Sequence, residues 1–145
     1  MRGVGRGLFG WMMLACTLAM GAAAVAQAPA GPAAVPAEAK KTKSPVASSP
    51  ASIDAGAQLY QKYCRFCHGN TGMGDSKTAP KSMQPSNLTD TTWDRGSSEG
   101  EIFWIIQNGA PPKYDMKGLK SKISETDTWH LVNFVRSLGG VPKSH

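Results

Sequence analysis

Cys64-Arg65-Phe66-Cys67-His68 is the stretch whose reading decides the fold. Two thiols three residues apart at the end of a helical segment project from one side of a turn, and the imidazole that follows can turn toward what they hold. This order is the C-x-x-C-H signature of covalent haem attachment. Two vinyl groups on neighbouring pyrrole rings accept two sulfurs at this spacing, and the adjacent His supplies an axial nitrogen to iron. Other chemistries fit the five residues less well. A redox dithiol expects a thioredoxin-like βαβ context, and no segment alternates with the period of buried strands. Structural zinc needs four Cys or His ligands, and the further candidates are Cys16 in the N-terminal apolar run and His130 and His145, which lack finger or knuckle spacing. A disulfide across two residues would be strained and would leave His68 without a role.

Just upstream, Gly56, Leu59, Tyr60 and Tyr63 recur at three- and four-residue intervals and predict a helix that delivers the motif at its end. Ser52 or Asp54 is the expected cap. Gly56 is costly inside a helix, by about 0.5–1 kcal/mol, which points to the close approach of another helix. Downstream, Gly69 to Gly96 is 28 residues rich in Gly, Pro, Ser, Thr and Asn without a period. So long an irregular stretch is unusual in a compact domain. A flat apolar cofactor would give it something to pack on, with Met83, Pro85, Leu88 and Trp93 in that role.

Two more helices follow, and the predicted class is all-α. Ser98-Glu99-Gly100-Glu101 is a capping box, opening a dense apolar run from Ile102 to Ile106 that Asn108-Gly109 closes. Pro111-Pro112 forbids further helix, and residues 113–119 form an exposed loop carrying Met116. The last helix starts at Ser124, with Asp127 at the reciprocal box position. Leu131, Phe134, Val135 and Leu138 fall at i, i+3, i+4 and i+7, and Gly139-Gly140 ends it.

The N-terminal third reads differently. Residues 1–26 have the parts of a secretory signal: Arg2 and Arg6, an apolar run from Gly7 through Val25, and Ala24-Val25-Ala26 as a cleavage site. The run is also about the ~20 residues needed to cross a bilayer, so an uncleaved membrane anchor is the competing reading. Residues 27–51, rich in Ala, Pro, Lys and Ser with no aromatic residue, are expected to be a disordered tether. The folded domain is then 52–145. The whole chain of 145 residues carries a formal charge of +6. From Ser52 onward there are 11 Lys+Arg against 9 Asp+Glu, a balance of +2, so the domain is not a nucleic-acid binder by charge.

From Ser52 to about Gly140 this pattern resembles the class I cytochromes c, in particular small bacterial single-haem domains. The resemblance rests on Cys64-x-x-Cys67-His68 in an N-terminal helix, a Met in a late loop, and a last helix reading from Trp129 to Leu138. It implies three to four helices around one covalently bound haem c, with the first and last helices crossing at Gly56 and Tyr60 against Leu131 and Phe134. It also implies a loop proline carbonyl, of Pro80 or Pro85, as acceptor for the unligated nitrogen of His68. Iron would be held by His68 and, where the family places its thioether, by Met116; Met83 and an open or His-ligated sixth position are the alternatives. Many relatives have Pro after the ligand Met, whereas Lys117-Gly118 follows here, which predicts a looser loop. The implied activity is periplasmic transfer of single electrons by a monomeric carrier rather than an enzyme. Lys77, Lys81, Lys113, Lys117, Lys120 and Lys122 are placed to steer an acidic redox partner. Two rival readings are a subunit docked to a dehydrogenase or oxidase, and a haem enzyme or gas sensor with a displaceable sixth ligand.

Overall fold

The computed structural model describes residues 34–139, all of them within one compact unit, Gly31–His145. Among the described residues there are four α-helices: α1 (Pro50–Tyr63), α2 (Arg65–His68), α3 (Glu99–Asn108) and α4 (Glu125–Ser137). Among the described residues the β structure is limited to one isolated bridge, Gly109 to Lys117.

The cap of α1 lies earlier than either expected residue. Ser49 has extended backbone and its hydroxyl accepts from the Ser52 N–H at 3.2 Å, with Pro50 in the first turn. Proline suits that place because its missing N–H would have had no helical partner. Ser52 is instead buried inside the helix. Both predicted capping boxes are present, Ser98 with Glu101 and Ser124 with Asp127.

The crossing of α1 on α4 is the centre of the fold. A Cβ at Gly56 would stand 2.7 Å from both the His130 carbonyl carbon and the Phe134 Cβ, so only glycine allows this approach. One turn on, the Tyr60 and Phe134 rings meet with centroids 5.1 Å apart. The expected crossing is therefore present, with the His130 backbone rather than Leu131 against the glycine. Leu131 is buried in the shared core with Tyr60, Ile102, Ile106, Trp129, Val132 and Val135. Phe103 of α3 stacks on Trp129 at 4.1 Å and joins the third helix to that core.

Residues 34–49 correct the expectation of a disordered tether. They form a 3-10 turn (Ala37–Lys41) followed by an extended strap. The Ser44 N–H donates to Glu99 Oε2 at 3.2 Å, and Asn133 Nδ2 donates to the carbonyls of Val46 and Ala47 at 3.3 Å each. A Cβ on Gly100 would lie 2.6 Å from the Thr42 Cβ, so the turn sits directly on the start of α3. Polar side chains of the helices grip the strap's backbone, which needs no apolar period in the strap itself. The signal or anchor reading of residues 1–26 lies outside the described residues. Among the described residues no helix is long and apolar enough to cross a membrane.

Candidate functional site

Cys64 interrupts the helix that carries it. Its backbone (φ −113°, ψ −38°) ends α1 and starts the single turn α2, and its carbonyl accepts from the N–H groups of Cys67 and His68 at 3.1 and 2.9 Å. This turn holds the two cysteines and the histidine in fixed register. Neither cysteine is in a disulfide. Burial first, and the neighbouring Cys67 second, push the Cys64 thiol up to about 12. That is the reverse of the acidic thiol that a redox dithiol uses.

The turn is braced from three directions. The Tyr60 hydroxyl donates to the Gly69 carbonyl at 2.7 Å. Ser76 and Thr78 hydroxyls both donate to the Phe66 carbonyl, at 2.6 and 2.9 Å. The Gly74 N–H donates to the His68 carbonyl at 2.9 Å. Gly69, Gly72 and Gly74 all have φ between +74° and +83°, so the chain reverses beside the motif through conformations that favour glycine.

His68 is oriented by the loop. Its Nδ1 lies 3.0 Å from the Ser86 carbonyl. A carbonyl accepts only, so Nδ1 carries the proton and Nε2 keeps a lone pair. Burial lowers the pKa of His68, partly offset by this hydrogen bond, and favours the neutral ring that ligates metal. The acceptor is Ser86, not Pro80 or Pro85; the proline reading misses it by one residue, because the carbonyl that faces the ring is set by the loop's turns rather than by residue type.

Met116, on the loop that connects α3 to α4, is half-buried and packs on the same core as Cys64. Its loop is firmly held. The Met116 carbonyl accepts from Ala110 N–H at 3.0 Å, Leu119 N–H donates to the Ile106 carbonyl at 2.8 Å, and Lys120 N–H donates to the Gln107 carbonyl at 3.1 Å. A Cβ at Gly118 would lie 2.6 Å from the Asn108 carbonyl carbon. The Lys117-Gly118 pair thus lets the loop close tightly on the end of α3, where a looser loop was expected.

The apolar surface around these groups is incompletely covered. Ile102 and Ile106 are buried, while Phe103, Trp104 and Ile105 between them are only half-buried. Leu59, Leu88, Trp93, Leu119 and Ile123 are likewise half-buried against the core. Met83 and Pro85, grouped with Leu88 and Trp93 in the sequence, instead line an open cavity of ≈ 450 Å³ beside Gly74 and Lys77. Two cysteines outside any disulfide, an imidazole presenting Nε2 and half-covered apolar side chains fit a flat, largely apolar iron macrocycle. Zinc fits less well: among the described residues no three or more His, Cys, Asp or Glu side chains converge as a metal site.

A family model described as cytochrome c oxidase, cbb3-type, subunit III matches residues 51–135. The chain belongs to that family. It is 31% identical over 93 residues to the cbb3-type cytochrome c oxidase subunit FixPc of Rhizobium leguminosarum bv. viciae, covering 64% of this chain and 30% of the relative. It is 32% identical over 85 residues to subunit FixP of Azorhizobium caulinodans, covering 59% and 27%. The chain therefore spans about 30% of the length of the curated relatives it matches. In structure it is similar to a chain of the Kuenenia stuttgartiensis reducing HAO-like protein complex, with TM-score 0.59, 23% identity and coverage of 66% and 47%, a likeness of fold. The protein is a c-type cytochrome with the all-α cytochrome c fold, and its cofactor is covalently bound haem c. Electron transfer is the activity of the family.

Of the residues singled out in the sequence, the structure brings Cys64, Cys67 and His68 onto one turn and sets Met116 on the core shared with Cys64. His130 lies apart from them, its Nδ1 2.8 Å from the Ser52 hydroxyl. Sequence reasoning missed Ser86 as the orienting acceptor and Gly118 as the residue that closes the Met loop. The signal for Gly118 was present, since a glycine in a loop can mark close backbone approach; Ser86 had none.

Proposed function

We propose that the protein is an exported, monomeric carrier of single electrons in which Cys64 and Cys67 hold haem c through thioethers and His68 Nε2 and the Met116 sulfur are the axial ligands of iron. The observation that carries this reading is the His68 ring, on the same turn as Cys64 and Cys67 and held with its proton on Nδ1 against Ser86. Bound haem supplies a one-electron iron couple, and a thioether ligand favours its ferrous state. The chain's own part is to hold the ring of His68 and to keep Met116 on a pinned loop. Were His68 and Met116 both to hold iron, they would leave no open position for a substrate, and the protein would carry electrons rather than transform a molecule.

Lys77, Lys81, Lys113, Lys117, Lys120 and Lys122 are exposed and suit an acidic redox partner, whose association would slow as salt screens the charges. The subunit names of the FixP relatives favour a second reading, docking to a larger oxidase complex. Under that reading the protein co-purifies stably with a larger complex.

The test compares wild type and Met116→Ala after loading with haem. The reduced wild type should bind carbon monoxide slowly and weakly at neutral pH, and M116A rapidly. Equal, rapid binding by both would assign the protein to the gas-sensor or enzyme class and remove Met116 as the sixth ligand.

A further inference from the structure

The stems of the methionine loop are fixed by the Gly109–Lys117 bridge and by backbone bonds to the end of α3. Its tip, Pro111 to Asp115, lies beyond those stems. Within the tip, Tyr114 N–H donates to the Ala110 carbonyl at 2.9 Å, and Tyr114 takes a left-handed backbone (φ 54°). Arg95 reaches the tip from another part of the chain: its Nε donates to the Pro111 carbonyl at 2.7 Å.

Arg95 is well placed to hold rather than follow. It is half-buried, and the chain around it is tied on both sides. Gly96 N–H donates to the Trp93 carbonyl at 3.4 Å, Arg136 Nη1 of α4 donates to the Ser97 carbonyl at 3.0 Å, and Ser98 caps α3. The backbone that follows Arg95 is thus tied to α3 and α4. The Arg95 bond to Pro111 is charge-assisted.

The geometry points to Arg95 as a positioning residue for the sixth ligand: by gripping the Pro111 carbonyl it holds the tip of the Met116 loop closed and so opposes displacement of the thioether from iron. This inference rests on the His68/Met116 reading above. It concerns the strength of the bond at Met116, not the identity of the ligand, so the two can fail separately.

The experiment titrates imidazole into the oxidised holoprotein and follows the main haem absorption band in every variant, together with the weak long-wavelength band of the thioether–iron(III) bond where Met116 is present, with thermal melting recorded in parallel. Arg95→Gln should bind imidazole about tenfold more tightly than wild type, as expected for one lost charge-assisted hydrogen bond. Arg95→Lys, which keeps a charged donor without the fixed fork, should fall between the two and carries the test if the first variant yields no holoprotein. Added to Met116→Ala, the same Arg95→Gln change should have no effect on imidazole binding. Wild-type imidazole affinity in the Arg95 variants, even with a lowered melting temperature, would reduce Arg95 to a structural role and overturn the inference. A persisting effect in the Met116→Ala background would overturn it too. If Met116→Ala by itself retains the band, the ligand assignment fails instead.

Discussion

Two stretches of this chain lack any apolar period, residues 34–49 and residues 69–97, and they are ordered in opposite ways. The first lies along α3 and α4 as a strap, its backbone gripped by Asn133 and Glu99 and its turn seated on Gly100. The second is held largely by its own turns, such as Leu88 N–H to the Gly72 carbonyl at 2.7 Å and Met83 N–H to the Pro80 carbonyl at 2.8 Å. It sets Leu88 and Trp93 half-buried against the core and offers Ser86 to His68. The strap needs only the helices. The long loop ends on apolar side chains that the polypeptide leaves partly uncovered, and haem is the partner that would cover them. Irregular sequence therefore signals disorder in neither case; what matters is whether other residues, or a cofactor, satisfy its backbone and its apolar side chains.

The largest expected effect breaks the comparison on the loop side. Cys64→Ala/Cys67→Ala protein should be largely unfolded or degraded, because a small domain buries a limited fraction of its surface without its cofactor. Thermal melting followed by circular dichroism checks this, and a cooperative, native-like transition without haem would show that the loop does not need it.

Next in size is Gly56→Ala, which drives a methyl group into the His130 backbone and Phe134. Overpacking of this kind costs about 1–3 kcal/mol, read as a lowered denaturation midpoint of the holoprotein. On the strap side, Asn133→Ala removes the donor to Val46, Ala47 and the Ser52 hydroxyl and should cost about 1–3 kcal/mol. Amide exchange sharpens the contrast: protection at Ser44 and Val46 should fall in this variant while that at Leu88 stays.

The smallest effect is a pH dependence at Tyr60, whose hydroxyl is pushed up to about 12, first by burial. A folded-state pKa above the unfolded value of about 10 means that its stabilisation is complete below pH 10. It is lost as pH rises toward 12. Tyr60→Phe should flatten that part of the melting-temperature profile, and an unchanged slope would exclude Tyr60 as its source.

Much of this was legible in the sequence because it rests on local chemistry. The capping boxes at Ser98 and Ser124 need only residues three apart, and the stripe of α4 repeats with the helical turn. Gly56 announced a helix crossing because little else justifies glycine there. What stayed hidden depends on tertiary contact. The strap's partners are 55 residues away at Glu99 and 86–87 away at Asn133. Ser86 is selected by the shape of a glycine-rich loop, and Pro50 displaced Ser52 as the helix start because Ser49 supplied the cap.

The most direct measurement is the intact mass of the purified protein from a haem-competent host, before and after thiol alkylation. One haem per chain should survive denaturation, with Cys64 and Cys67 closed to the reagent. Colourless protein in which both cysteines alkylate would contradict it.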